Sequence, residues 1–365
     1  MQPQTPTPVN IMITTAEPTA TPTPQPQRVV IMAVGDLMCT SGQIIAGKTG
    51  DGYDFHASFE QTRELLVSAD LAVGNLETLV ADDFPFSTTA SPDEKDGRTK
   101  YLMNAPTEFL VALRDAGFDV LTLANNHIFD YRAEGITQTL ENLDALSLLH
   151  TGAYATESER QILITEVNGI HVALLAYTRV LNVSTGGRYG FMVDAVKYDA
   201  VEADIEAARA KGADFVIVFP HWGKEDSQEA SKDQRHVAGK IAAAGADLIL
   251  GSHPHCIQPV EIIETDRGSV PVFYSMGNFI TNMGRNINRD GVIVSIVLEK
   301  LPETGETVIT SLSYTPTICL STEEARYVIY PADSASIAGS SVEAELAGSR
   351  ERTLRILKEE IANIN

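Results

Sequence analysis

The chain has 365 residues, 44% hydrophobic and 21% charged, so it can bury a sizeable core as one large domain or two smaller ones. A formal net charge of −22 and a pI near 4.7 argue against non-specific nucleic-acid binding, which needs Lys and Arg against phosphates, and against adsorption to an anionic membrane surface. Three cysteines, Cys39, Cys256 and Cys319, are too few for a disulfide framework, and no apolar run is long enough to span a bilayer.

The first 27 residues hold seven Pro and seven Thr. Such a segment cannot bury enough surface to fold and reads as an extended tether. Thr/Pro tethers hold domains away from cell surfaces; the plainer alternative is a disordered tail. The expected location is therefore extracellular and anchored at the cell surface, with a signal or lipoprotein leader already removed. The chain would lie near the membrane without spanning it.

Order begins at Arg28. Val29 to Val34 is a continuous apolar run, as expected of a strand buried on both faces, and it ends in Gly35-Asp36-Leu37-Met38. A carboxylate at the carboxyl end of a buried strand is where α/β folds place ligand chemistry, although Asp after Gly also favours an Asx turn. A helix over Ala57–Ala69 leads to a short strand, Leu71–Val73, ending in Gly74-Asn75-Leu76-Glu77. Residues 78–104 read as a long polar loop of the kind that forms lids or binding loops. A helix over Thr107–Ala116 precedes a third strand, Asp119–Ala124, which ends in Asn125-Asn126-His127. Another helix follows over residues 133–147.

Ile162–Val167 and Ile170–Tyr177 flank Asn168-Gly169, a hairpin signal of type I′. A Gly-rich loop over residues 180–192 carries Arg188, and Val201–Lys211 is helical. Phe215–Phe219 is the next buried strand and ends in Pro220-His221-Trp222-Gly223. A helix over Glu229–Ala244 leads to Asp247–Leu250 and then Gly251-Ser252-His253-Pro254-His255. In extended chain His253 and His255 would project from one side, as half of a metal site or as a hydrogen-bonded pair. Strands over Val260–Ile263, Val270–Tyr274, Val292–Leu298 and Thr307–Tyr314 follow, with Ser275-Met276-Gly277-Asn278-Phe279 among them, and residues 341–363 form a terminal amphipathic helix. The alternation predicts an α/β fold with hairpin-type strands added in the second half.

Five strand ends thus carry metal-type residues: Asp36, Glu77, Asn126 with His127, His221, and His253 with His255. Parallel strands bring their carboxyl ends to one rim, so these residues are expected to converge. Carboxylate, amide oxygen and imidazole together suit Mn, Fe or Zn better than Ca or Mg. No cysteine pair has structural-zinc spacing, which favours a catalytic site. Cys39 and Cys256 lie beside the motifs and read as small buried residues or as nearby thiols.

These motifs, Gly-Asp-Leu-Met, Gly-Asn-Leu-Glu, Asn-Asn-His, His-Trp-Gly, Gly-Ser-His-Pro-His and Ser-Met-Gly-Asn-Phe, together and in this order resemble the CapA family, proteins associated with bacterial capsule and poly-γ-glutamate synthesis. That family is similar to the calcineurin-like metallophosphoesterases, and the likeness covers residues 28 to about 300. It implies a four-layer sandwich of two mixed β-sheets flanked by helices. Residues 1–27 would be the tether, 28–320 the phosphoesterase-like domain, and 321–365 a helical extension packed on it.

The resemblance also implies roles. Asp36, Glu77, Asn126, His221, His253 and His255 become ligands of one or two divalent ions, with Asp36 and His127 catalytic and His127 the general acid. Asn75, Asn125, Trp222, Asn278 and Arg188 are assigned to substrate, and Arg285 and Arg289 are further cations for an anionic one. Two departures stand out: Met38 occupies the position where the phosphoesterases have a histidine, and Glu77 replaces an aspartate. The implied function is metal-assisted hydrolysis of an anionic small-molecule or polymer substrate, a phosphoester or polyglutamate, with capsule-synthesis membrane proteins as partners. The alternative is a non-catalytic accessory that holds polymer during synthesis or export.

Overall fold

A computed structural model describes residues 27–87, 91–92, 99–100, 102–321, 326–333 and 342–357; all but the last residue of the expected tether lies outside them. The strands taken here, in chain order, are β1 (Gln27–Leu37), β2 (Leu71–Leu76), β3 (Val120–Thr122), β4 (Leu149–Thr151), β5 (Leu163–Val167), β6 (Ile170–Thr178) and β7 (Phe215–His221). They continue with β8 (Leu248–Leu250), β9 (Val260–Thr265), β10 (Gly268–Phe273), β11 (Asn278–Ile280), β12 (Asp290–Lys300), β13 (Thr307–Leu320) and β14 (Val328–Pro331). One sheet has eight strands in the order β4-β3-β2-β1-β12-β13-β14, with β11 joining the end of β1. The other has six, in the order β5-β6-β7-β8-β10-β9.

The eight-stranded sheet is parallel from its β4 edge to β1 and antiparallel beyond, while the six-stranded sheet is parallel at its centre and antiparallel at its flanks. β1, β2, β3 and β4 pair in parallel, while β12 runs antiparallel to β1 over eight registered positions from Gln27↔Lys300 to Val34↔Ile293. β6, β7, β8 and β10 are parallel, closed by the β5–β6 and β9–β10 hairpins. Asn168 and Gly169 in the β5–β6 turn have φ of 50° and 82°, the positive values that a type I′ turn needs.

The six-stranded sheet is buried on both faces, and its side chains divide with a period of two. On β6, Val172, Leu174 and Ala176 join the main core, whereas Ala173, Leu175 and Tyr177 face a second apolar cluster. On β7 the same split puts Phe215, Ile217 and Phe219 on one side and Val216 and Val218 on the other. The second cluster is closed by two helices, α5 (Tyr198–Ala210) through Val201 and Ile205, and α6 (Lys232–Ala244) through Val237 and Ile241. The other helices of seven residues or more among the described residues are α1 (Ser41–Gly47), α2 (Glu60–Val67), α3 (Glu108–Ala116), α4 (Arg132–Ala145) and a terminal α7 (Glu343–Leu357). Leu66, Leu113 and Ile136 of α2, α3 and α4 join the main core. Each such side chain contributes about 1.5–3 kcal/mol when fully buried. The result is two mixed sheets packed together and flanked by helices.

Residues 78–104, expected to be irregular, contain structure at both ends. Leu79–Val80 pairs in parallel with Asn104–Ala105, and Leu79, Val80 and Ala81 are buried. The tip of that segment lies outside the described residues. Along α7, Leu346 and the preceding Val342 pack on Ile318 and Leu320 of β13, and Arg352 holds Asp290 with two hydrogen bonds of 2.6 and 2.8 Å. The expected continuation of this helix through Ile361 falls outside the described residues.

Candidate metal centre

The carboxyl ends of β1 and β2 in one sheet and of β7 and β8 in the other meet at one rim. Hydrogen bonds at this rim, the first and third of them between the sheets and the second within one, define the meeting. The His253 amide donates to Asp36 Oδ2 at 3.3 Å, Asn75 Nδ2 donates to Asp36 Oδ1 at 2.8 Å, and His221 Nε2 lies 2.7 Å from Asn126 Oδ1. Asp36, Glu77 and Asn126 have no exposed surface, and His221, His253 and His255 keep 4% or less.

The chain reaches this arrangement through tight backbone. After β8, Gly251 leaves no room for a side chain, since a Cβ there would collide with the Tyr274 carbonyl oxygen and the Trp222 indole. His253 and His255 do not continue the strand. Their φ values are 96° and 54°, a left-handed conformation that costs about 1–3 kcal/mol for such residues. The expectation that both rings project from one side of extended chain is therefore corrected. The turn around Pro254 points them to different neighbours, with ring centroids 6.0 Å apart. His253 stacks near His221, at 4.7 Å between centroids, while His255 reaches Asp36.

The side-chain atoms form two adjacent groups that share one carboxylate. Glu77, His221 and His253 each offer a ligand atom within 4.8 Å of the others, and so do Asp36, Glu77 and His255. Glu77 Oε1 is 3.7 Å from His221 Nε2 and 3.6 Å from His255 Nε2. Neither carboxylate oxygen of Glu77 has a hydrogen-bond partner, and His253 Nδ1 is likewise buried and unpaired. If His221 Nδ1–H donates to Ser252 Oγ at 3.0 Å, its Nε2 lone pair and Asn126 Oδ1 face each other. Unpaired buried acceptors aimed at one another are costly unless a cation lies between them. The donor set fits a divalent transition metal.

Protonation reflects the same crowding. Burial, then the Asp36 charge, pushes the Glu77 carboxyl well above the usual range. Burial and the neighbouring imidazoles hold His221 well below its ordinary value and His253 down at about 4. Burial alone would lower His255 as well, but Glu77 and Asp36 outweigh it and push this ring up to about 10. Glu77 and His255 together thus retain a proton near neutrality. The Cys39 and Cys256 thiols are buried and raised by burial, Cys256 to about 12, so neither is a ready thiolate.

His127 sits at the edge, 9% exposed. Its Nδ1 is 2.7 Å from Asp130 Oδ2, and Asn182 Nδ2 lies 3.3 Å from its Nε2. Asp130, Asn182 and Ser252 are site residues that the strand-end motifs do not reveal. Asp130 follows His127 by one helical turn, which is the only local signal, and Asn182 arrives from the Gly-rich loop, with its amide on the Asn126 carbonyl oxygen at 3.0 Å.

Several substrate assignments change. Trp222 is fully buried, belongs to the helix-facing cluster and donates its indole N–H to the Tyr274 carbonyl oxygen at 2.8 Å. It follows His221 in sequence, and the strand's alternation turns it away from the site. Asn125 donates to the Leu76 carbonyl oxygen, Asn278 Oδ1 meets His255 Nδ1 at 3.0 Å, and Asn75 is bonded to Asp36. These three asparagines are thus engaged by Leu76, His255 and Asp36 within the protein. Arg285 pairs with Asp226 and Arg289 with Glu345, so both are engaged within the protein. Arg188 is exposed, with its guanidinium over the Tyr189 ring.

Sequence comparison places this geometry in a family. Residues 30–283 match the profile of "Bacterial capsule synthesis protein PGA_cap". The chain is 30% identical over 278 residues to the "PGA biosynthesis protein CapA" of Bacillus subtilis, covering 73% of this chain and 67% of that protein. It is 29% identical over 276 residues to the "Capsule biosynthesis protein CapA" of Bacillus anthracis, covering 73% and 63%. Among solved structures, a calcineurin-like phosphoesterase, YfkN of Bacillus subtilis, aligns over 91% of this chain and 99% of that chain at 13% identity, with a TM-score of 0.47. Among the described residues no helix is long and apolar enough to cross a membrane. The chain belongs to the PGA_cap family of bacterial capsule synthesis proteins.

Proposed function

We propose that this protein is a metal-dependent hydrolase of the phosphoesterase type, exported and held at the cell surface, acting in capsule or poly-γ-glutamate metabolism. The observation that carries the reading is Glu77, a fully buried carboxylate whose two oxygens have no hydrogen-bond partner and whose neighbours are imidazoles. Only a proton or a cation satisfies such a group. Asp36, Glu77, Asn126, His221, His253 and His255 would hold one or two ions of Mn, Fe or Zn. The ion supplies Lewis acidity to a water and to the scissile bond.

The protein's own groups do the rest. Asp130 takes the Nδ1–H of His127 and fixes the ring. That leaves Nε2, which accepts from Asn182 Nδ2 at 3.3 Å, to exchange that contact for the proton it would give to the departing oxygen. Arg188 on the Gly-rich loop is the cation for a phosphate or carboxylate of the substrate. A second reading, a polymer-holding accessory without turnover that works with capsule-synthesis membrane proteins, is favoured by the biosynthetic names of the two Bacillus relatives.

The test is metal analysis of purified protein together with phosphomonoester, phosphodiester and poly-γ-glutamate substrates. Turnover that disappears with a chelator supports the hydrolase. Bound metal with retained polymer and no turnover supports the accessory. His253→Ala should abolish bound metal, and full stoichiometry in that variant would show that the centre lies elsewhere.

A further inference from the structure

A third group of potential ligand atoms lies on the solvent side of the centre. Glu225, His253 and His255 each present one atom within 4.8 Å of the other two. Glu225 is exposed, unlike every other member of the cluster. It belongs to the loop that follows β7, and the chemistry described so far leaves it without a role.

This loop is fastened immediately after Glu225. The next residue, Asp226, has φ of 62° and donates its amide to the Pro254 carbonyl oxygen at 2.9 Å, inside the histidine turn. The Asp226 carboxylate accepts from Asn288 Nδ2 at 2.8 Å and pairs with Arg285 at 2.8 Å. Asn288 Nδ2 also donates to the His255 carbonyl oxygen at 3.0 Å. Further along, Gln258 donates to the Ser227 and Glu229 carbonyl oxygens. Glu225 is thereby held over the two imidazoles rather than swinging free. Among the described residues no Lys or Arg lies within ion-pair distance of it.

The centre has need of another donor. Each inner group offers three such ligands, whereas a divalent transition metal takes four or more, and Glu225 lies against His253 of one group and His255 of the other.

We propose that Glu225 is a further ligand of the metal centre, a carboxylate that joins His253 and His255 from the solvent side. This rests on the metal-dependent reading above. It makes the centre richer in carboxylate by one and gives it a ligand that is removable without disturbing the core.

The experiment uses the full chain stripped of metal and titrated with Co(II) alone, with binding followed by calorimetry and by the visible absorption of the bound ion. Glu225→Gln should weaken one binding step on the order of 10- to 100-fold and change the visible spectrum, since even partners one bond further out cost that much. His253→Ala, measured in parallel, should remove binding. If Glu225→Gln matches the unaltered protein in affinity and spectrum while His253→Ala loses metal, Glu225 is only a surface acid and the centre stands without it. If the unaltered protein binds no Co(II), the metal-dependent reading and this assignment fall together. Melting curves in chelator confirm that the exposed Glu225→Gln change leaves the fold intact.

Discussion

Glu77 should make the metal-free protein less stable than a variant that lacks its charge. Its carboxylate has no exposed surface and no hydrogen-bond partner at either oxygen; Asp36 opposes its charge, and the His255 ring 3.6 Å away offsets it only in part, since the carboxyl stays raised. An unsatisfied buried polar group costs about 1–3 kcal/mol, and more when charged. Glu77→Gln keeps the shape and removes the charge. In chelator the variant should therefore be the more stable protein, by about 1–3 kcal/mol. At roughly 2 °C per kcal/mol for a chain of this size, its midpoint should rise by about 2–6 °C. In metal the order should reverse. Metal at 100 times its dissociation constant stabilises the unaltered protein by about 2.7 kcal/mol, and the variant gains little because it has lost the ligand shared by both groups. Thermal melts of the two proteins, in chelator and in excess Mn(II), read this crossover directly. If Glu77→Gln melts below the unaltered protein in chelator as well as in metal, the carboxylate is a structural anchor and the reasoning fails.

Two further outcomes follow from the same cluster. In the metal-free protein Glu77 and His255 keep at least one shared proton near pH 7, since Glu77 is raised and His255 is raised to about 10. Metal must displace that proton, so affinity should climb about tenfold per pH unit and proton as pH rises from neutrality toward 10. Calorimetry at pH 7 in buffers of different ionisation enthalpy should show at least one proton released, and zero release would contradict the protonation described here. His127→Ala should lower turnover by about 10²–10⁴-fold while bound metal stays at the unaltered level, because His127 contacts Asp130 and Asn182 and belongs to none of the ligand groups. Loss of metal in that variant would make His127 a support of the centre instead of a proton donor.

Much of the framework is legible in the chain itself. Strands buried on both faces read as unbroken apolar runs, so Val29–Val34, Phe215–Phe219 and Asp247–Leu250 announce β1, β7 and β8. Each run is followed by polar residues in the last positions of the strand or just beyond it. That local rule exposes Asp36, Glu77, Asn126, His221, His253 and His255 as candidates without any knowledge of contacts. It is less reliable one residue further on. Trp222 neighbours His221 in sequence, yet the two-residue alternation of the strand sends its ring to the helix-facing cluster.

The sequence by itself determined the buried strands, their order as α/β units and the residues with which they end, because hydrophobic periodicity and turn chemistry are local. The tertiary structure decided which of those ends face each other. Asp130, Asn182, Ser252 and Glu225 sit on turns and loops with no periodic signal: a local turn returns Asp130 to His127, the paired ends of β7 and β8 set Ser252 beside His221 and Glu225 beside the histidine turn, and Asn182 reaches His127 from the Gly-rich loop. The tertiary structure also decided that Asn75, Asn125 and Asn278 are engaged by Asp36, Leu76 and His255, since an amide shows its partner only when both strands are in place. Glu77 marks the division most clearly. Its position is readable from a strand ending in Gly-Asn-Leu-Glu, but its lack of any hydrogen-bond partner, which calls for a cation, is a property of the folded rim alone.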